Sequence, residues 1–146
     1  MQPRCGGPPH VGQPDRDDLG RPAPHAGPRL GGLLQLVTGP STVPAVLVAG
    51  LVHGELAALA PFGTADGVVA RAAGRLTAIG RGLDPKAVSV PEVGFLELGA
   101  EAHRDRLAGY ASGGPDGVAA WLVHCCRATE LGAREGLAIA EAILRG

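Results

Sequence analysis

The stretch LVHGELAALAPFGTADGVVARAAGRL, residues 51–76, decides the fold. Pro61 has no N–H and pushes the residue before it out of the α region, so the apolar helix leading into it stops near Ala60. Phe62-Gly63-Thr64-Ala65-Asp66-Gly67 then forms a tight connection, in which Asp66 or Thr64 can cap the next helix. That second helix starts near Gly67. Its apolar residues Val69, Ala72, Ala73, Leu76, Ile79 and Leu83 recur at helical spacing and read as its core stripe. Upstream, Ser41 or Thr42 supplies an N-cap oxygen and Pro44 sits in the first turn, where its missing N–H does no harm. The helix from Pro44 to Ala60 is apolar almost all round, which marks the centre of a bundle.

Working outward, residues 29–37 read as a short helix ended by Thr38-Gly39-Pro40. Gly80, Gly82 and Asp84-Pro85 close the helix that starts at Gly67. Ser89-Val90-Pro91-Glu92 has the spacing of a capping box. It opens a helix with a stripe of Leu96, Ala100, His103, Leu107 and Tyr110, ending at Ser112-Gly113-Gly114. Pro115 and Asp116 open a last helix that carries Val118, Trp121, Leu122 and Cys125 and runs to about Arg145. Gly132 and Gly136 in it mark a bend or a close approach by another helix. No alternating pattern competes, so the fold class is all-α. Aromatic residues are only 3% of the chain, which leaves small aliphatic residues and glycine to fill the interior and favours close helix–helix contact.

Residues 1–28 hold seven prolines and five glycines, and this leader is expected to be disordered, with the folded domain over residues 29–146. Thirteen basic against fourteen acidic residues give a net charge of −1 and no basic run, which argues against nucleic acid as a partner. The most apolar stretch, residues 43–62, carries His53 and Glu55 near its middle and reads as a buried helix, not a membrane span. The leader lacks the pattern of a secretory signal. Cys5, Cys125 and Cys126 are odd in number, include no C-x-x-C, and fit a reducing cytoplasm. His124-Cys125-Cys126 with His103 does not read as a zinc site, because consecutive helical residues point about 100° apart.

The loop between the two central helices has the makings of an anion cradle, with free backbone N–H groups at the start of a helix pointing into one space. These residues resemble the Fic (Fido) family, whose signature is H-P-F-x-[DE]-G-N-G-R-x-x-R between two central helices. Aligned on Pro61-Phe62, this chain reads Ala60-Pro61-Phe62-Gly63-Thr64-Ala65-Asp66-Gly67-Val68-Val69-Ala70-Arg71. His53 stands seven residues before Ala60, where the family often has another histidine. Gly82-Leu83-Asp84-Pro85 also looks like a Fic helix end. The resemblance is loose over residues 29–146 and good over 43–85, and it implies a Fic-like helical bundle. It also implies that the first half of a full Fic domain is absent or replaced by the leader.

In that family the signature histidine takes a proton from a hydroxyl of a target protein, which attacks the α-phosphorus of ATP. The acidic residue holds the Mg2+ that bridges the phosphates. Here the resemblance places Ala60 at the base position, Thr64 at the acidic position, Asp66 in place of the asparagine and Val68 in place of the first arginine. Pro61, Phe62, Gly67 and Arg71 are kept. The kept residues hold the turn and the altered ones carry the chemistry, so the expectation is a retained scaffold without catalysis, acting as a binding or regulatory module for a protein partner. Gly63, Thr64, Ala65, Asp66, Gly67 and Arg71 are the candidates for phosphate contact, and Asp66 for Mg2+ if ATP binds. Two alternatives stand beside this: a weak protein AMP-transferase using Asp66 for the metal, and an inert fragment of a larger Fic-like protein. Arg71 is alternatively a solvated residue or one paired with an acid such as Glu55. Glu97, Glu101, Arg104 and Asp105 read as a solvated face.

Overall fold

The computed structural model describes residues 26–146. The expected leader lies outside the described residues except for its last three positions. There the first helix already begins at Gly27, two residues before the expected start. Six helices and no strand make up the described residues: α1 (Gly27–Thr38), α2 (Ala45–Leu59), α3 (Asp66–Gly80), α4 (Pro91–Leu98), α5 (Ala100–Ala111) and α6 (Pro115–Arg145). The all-α reading holds. None of these helices is long and apolar enough to cross a membrane.

α2 is the axis of the bundle and has packed side chains on two flanks. On one, Val48, Val52 and Leu56 meet Ala70 of α3, with Leu30, Leu33, Leu36 and Val37 of α1 closing over them. On the other, Leu51 and Ala58 lie against Trp121, Cys125 and Tyr110, with Phe95 and Leu107 beside them. Such an all-round apolar helix has no face for water, as its sequence demands.

Small residues let the backbones close up. A Cβ built on Gly74 would lie 3.2 Å from the Ala49 carbonyl oxygen and 3.3 Å from the His53 Cβ. One on Gly54 would run into the Trp121 indole, and one on Gly94 into the Ala128 carbonyl. This corrects the expected core stripe of α3. Ala70, Gly74 and Thr77 are the buried residues, while Leu76 is 67% exposed on the side turned to α1. A row of leucines would hold α2 and α3 apart, so the small residues take the contact.

α1 has no buried residue of its own and is fastened at both ends by arginine. Arg29 forks onto Glu55 of α2 (Nε–Oε1 2.6 Å, Nη2–Oε2 2.8 Å), and the Tyr110 hydroxyl donates to the same carboxylate at 3.0 Å. At the other end, Arg81 donates to the carbonyls of Leu36 (2.6 Å), Val37 (3.3 Å) and Gly39 (3.4 Å). A cation there meets the negative end of the helix dipole.

Several local expectations need correcting. The single helix expected through Leu96 and Tyr110 is two, broken at Gly99, whose φ of 92° suits glycine and few other residues. Leu96 is consequently 77% exposed. The capping box does not form: Ser89 donates instead to Asp84 at 2.6 Å, and Asp84 also accepts the Val88 and Ser89 N–H groups. Glu92 turns to Arg75. Pro44, with no side-chain bond, is the N-cap of α2; Ser41 accepts the Val43 N–H just upstream. Gly132 and Gly136 do allow a close approach, but of an extended segment: their added Cβ atoms would strike the Val90 and Val88 carbonyls, and the Val90 N–H donates to Gly132 at 2.9 Å.

Candidate functional site

The turn between α2 and α3 is a self-closed elbow. Ala60 ends α2 in the left-handed region (φ 43°, ψ 55°), and its N–H donates to the Leu56 carbonyl at 3.0 Å. Pro61 is fully buried at the corner and Phe62 partly so. Gly63, Thr64 and Ala65 form an exposed tip. Ala65 is also left-handed (φ 56°), and as N-cap its carbonyl accepts the N–H groups of Val68 and Val69. Neither Thr64 nor Asp66 caps α3 with its side chain. Asp66 is the first residue of the helix and reaches back, its Oδ1 accepting the Phe62 N–H at 2.9 Å. Carboxylate and amide thus close the ring of the turn, and the acid also sits well at the positive end of α3.

The structure brings Ala60, Pro61, Phe62, Gly63, Thr64, Ala65, Asp66 and Gly67 together in this elbow, and Arg71 reaches back to it, its Nη1 lying 3.5 Å from where a Gly67 side chain would begin, while His53 stands apart. His53 lies about 10 Å along the α2 axis from Ala60. Arg71 does not pair with Glu55, which is taken by Arg29 and Tyr110. Its side chain instead borders two spaces. One is a narrow cavity of about 50 Å3 shared with His53, Glu92 and Phe95. The other is an open pocket of about 410 Å3 lined by Arg71, Glu92, Phe95, Leu96, Ala100, His103 and Arg104. The second has the volume of a small-ligand pocket and a basic edge.

Sequence reasoning missed the group that Arg71 adjoins. His53 of α2, His103 of α5 and His124 of α6 gather around Trp121 and Phe95. Ring centroids are 5.5 Å apart for His53–His103, 5.3 Å for His103–His124 and 5.2 Å for each of His53 and His103 to Trp121. Phe95 stands edge-on to His53 at 5.1 Å and to His103 at 4.9 Å. His103 Nδ1 and His124 Nε2 are 3.2 Å apart and share a hydrogen bond. Trp121 is fully buried and donates its indole N–H to the Gly50 carbonyl at 2.8 Å. Burial lowers the pKa of His53 to about 4, with the neighbouring His103, Arg71 and His124 charges adding to it. Burial and the His124 and Arg71 charges lower His103; burial and Arg106 lower His124. Burial raises the Cys125 thiol to about 12, so it packs as an unreactive apolar group. Among the described residues no set of three or more His, Cys, Asp or Glu side chains is placed to hold a metal ion. The hints in the sequence were histidines on apolar helix faces at positions 53, 103 and 124, of which His103 and His124 were weighed together only as zinc ligands.

Comparison with protein-family models, curated proteins and solved structures found no match.

Proposed function

We propose that this chain is a Fic-like helical bundle that has kept the elbow of that family as a scaffold and serves as a non-catalytic binding or regulatory module for a protein partner. The observation that carries the reading is the Asp66–Phe62 bond: the acidic group of the loop is spent on closing the turn. The rest of the elbow agrees. Ala60 has no proton acceptor at the position the family gives to its base, and a missing positioned base removes about 10²–10⁴ in rate. Thr64 is neutral and exposed, and Val68 offers no charge. These donors do not fit a Mg2+-bridged polyphosphate, which needs carboxylate oxygens and cationic clamps together. The basic edge that Arg71 and Arg104 give to the neighbouring pocket is where an acidic group of a partner would be met.

The test is incubation with Mg2+ and ATP labelled on the α-phosphate, alone and in cell lysate. No transfer is expected with the native sequence. Label on the protein or on a lysate protein, lost in Asp66→Ala, would establish the transferase reading instead. Ala60→His, Thr64→Asp and Val68→Arg together restore the family pattern. Labelling gained by that variant would support the shared elbow, and none would count against a usable nucleotide site.

A further inference from the structure

The densest gathering of titratable groups is the trio His53, His103 and His124, and the chemistry proposed above makes no use of it. Each comes from a different helix, so their state bears on how α2, α5 and α6 hold together. At 3.2 Å the His103–His124 pair is a bond between one ring N–H and one bare ring nitrogen, which two neutral imidazoles supply by complementary tautomers. One added proton is tolerated there, since the imidazolium still donates to a neutral partner. A second would set donor against donor, and a charge on His53 would lie 5.5 Å from the His103 ring.

The surroundings offer little to offset such charge. From α3, Arg71 adds positive charge, and Arg75 is bound to Glu92. From α4, Glu92 borders the cavity beside His53 but is engaged by that Arg75. From the segment before α4, Asp84 borders the same cavity with its oxygens accepting from Val88 and Ser89. From α5, Arg104 lines the pocket next to His103 and Arg106 acts on His124. From α6, Cys125 stays a neutral thiol. On α2 itself, Glu55 is held by Arg29 and Tyr110. Among the described residues no carboxylate is hydrogen-bonded to any of the three rings.

We infer that the three imidazoles form an acid-operated latch: neutral, they let α5 close onto α2 and α6, and protonated, they drive α5 off. The inference does not depend on the Fic-like reading. Its sign follows from linkage. A histidine lowered in the folded state is protonated first in the unfolded chain, so stability is full above about pH 6.5, falls as pH drops towards about 4, and levels off below. For His53 alone, lowered to about 4, the folding equilibrium constant falls roughly thirtyfold between pH 8 and pH 5.

Trp121 is the only tryptophan of the chain and touches all three rings, so it reports on the latch directly. The experiment follows its fluorescence and near-UV dichroism, with urea midpoints, from pH 8 to pH 4 on the full chain. The expected result is a change between pH 6.5 and 4 that takes up more than one proton, with far-UV helix signal largely kept at low urea. A Trp121 signal and a urea midpoint that stay flat down to pH 4.5 would overturn the inference. His103→Gln with His124→Gln keeps a hydrogen-bonded pair that cannot charge, and it should carry the transition to lower pH. An unmoved transition in that variant would assign the acid response to carboxylates and overturn the latch. If the variant does not fold, the proton uptake of the native chain decides alone: one proton or fewer refutes the inference.

Discussion

Gly54→Ala sets two opposed effects against each other, and the structure says which wins. Alanine in a helix interior is favoured over glycine by about 1 kcal/mol. Against that, the added Cβ would strike Trp121 Nε1 and stand 3.0 Å from Cε2 and 3.1 Å from Cδ1. Ordinary carbon contacts are about 3.5–4.0 Å, so the ring must retreat by roughly 0.5–1 Å. The ring is fully buried and has no open side, and its N–H is bonded to the Gly50 carbonyl at 2.8 Å. Overpacking costs about 1–3 kcal/mol and an orphaned buried donor a further 1–3. The net expectation is a loss of about 3 kcal/mol, read as a lower urea midpoint by far-UV dichroism. Gly32→Ala in α1 is the control: nothing lies within 4 Å of its added Cβ, so only the helix preference acts and stability should rise by about 0.5–1 kcal/mol. A Gly54→Ala protein as stable as the native one would refute the account of the α2–α6 contact.

Two further substitutions test other joints. Gly94→Ala aims its Cβ at the Ala128 carbonyl, a backbone atom that cannot swing aside, so α4 must lift from α6; a loss of about 3 kcal/mol is expected in the same urea assay, and a neutral outcome would mean the helices are not in contact there. Asp66→Ala removes the acceptor of the Phe62 N–H and the acidic group of the first turn of α3. It should cost about 1–2 kcal/mol, and an unchanged midpoint would show that the elbow does not need its carboxylate.

The helical class, the elbow at Pro61-Phe62 and the limits of α2, α3 and α6 were legible in the sequence because prolines, glycines and apolar runs act locally. Reading Leu76 as core failed for a physical reason: large side chains were taken to mark the inside, whereas the close pairing of α2 and α3 puts Ala70, Gly74 and Thr77 there. Gly99 looked no different from the mid-helix Gly50 or Gly74, so the α4–α5 break was hidden behind a stripe that continued across it. Of the candidate site, the elbow residues lie together because they are contiguous in the chain, while Arg71 is exposed one turn along α3 and His53 is buried deeper in the bundle. Partners such as Glu55 with Arg29, Arg81 with the end of α1, and the imidazoles with one another join residues far apart in the chain. No spacing rule along one helix reveals them.

The elbow also has a practical consequence. Its corner is anchored by Pro61 and by the Asp66–Phe62 bond, while Gly63 and Thr64 point outward, and nothing lies within 4 Å of where a Gly63 side chain would begin. A foreign peptide spliced between those two residues would be displayed on a stalk whose base is already clamped, which makes this hairpin the natural place for a reporter or an epitope.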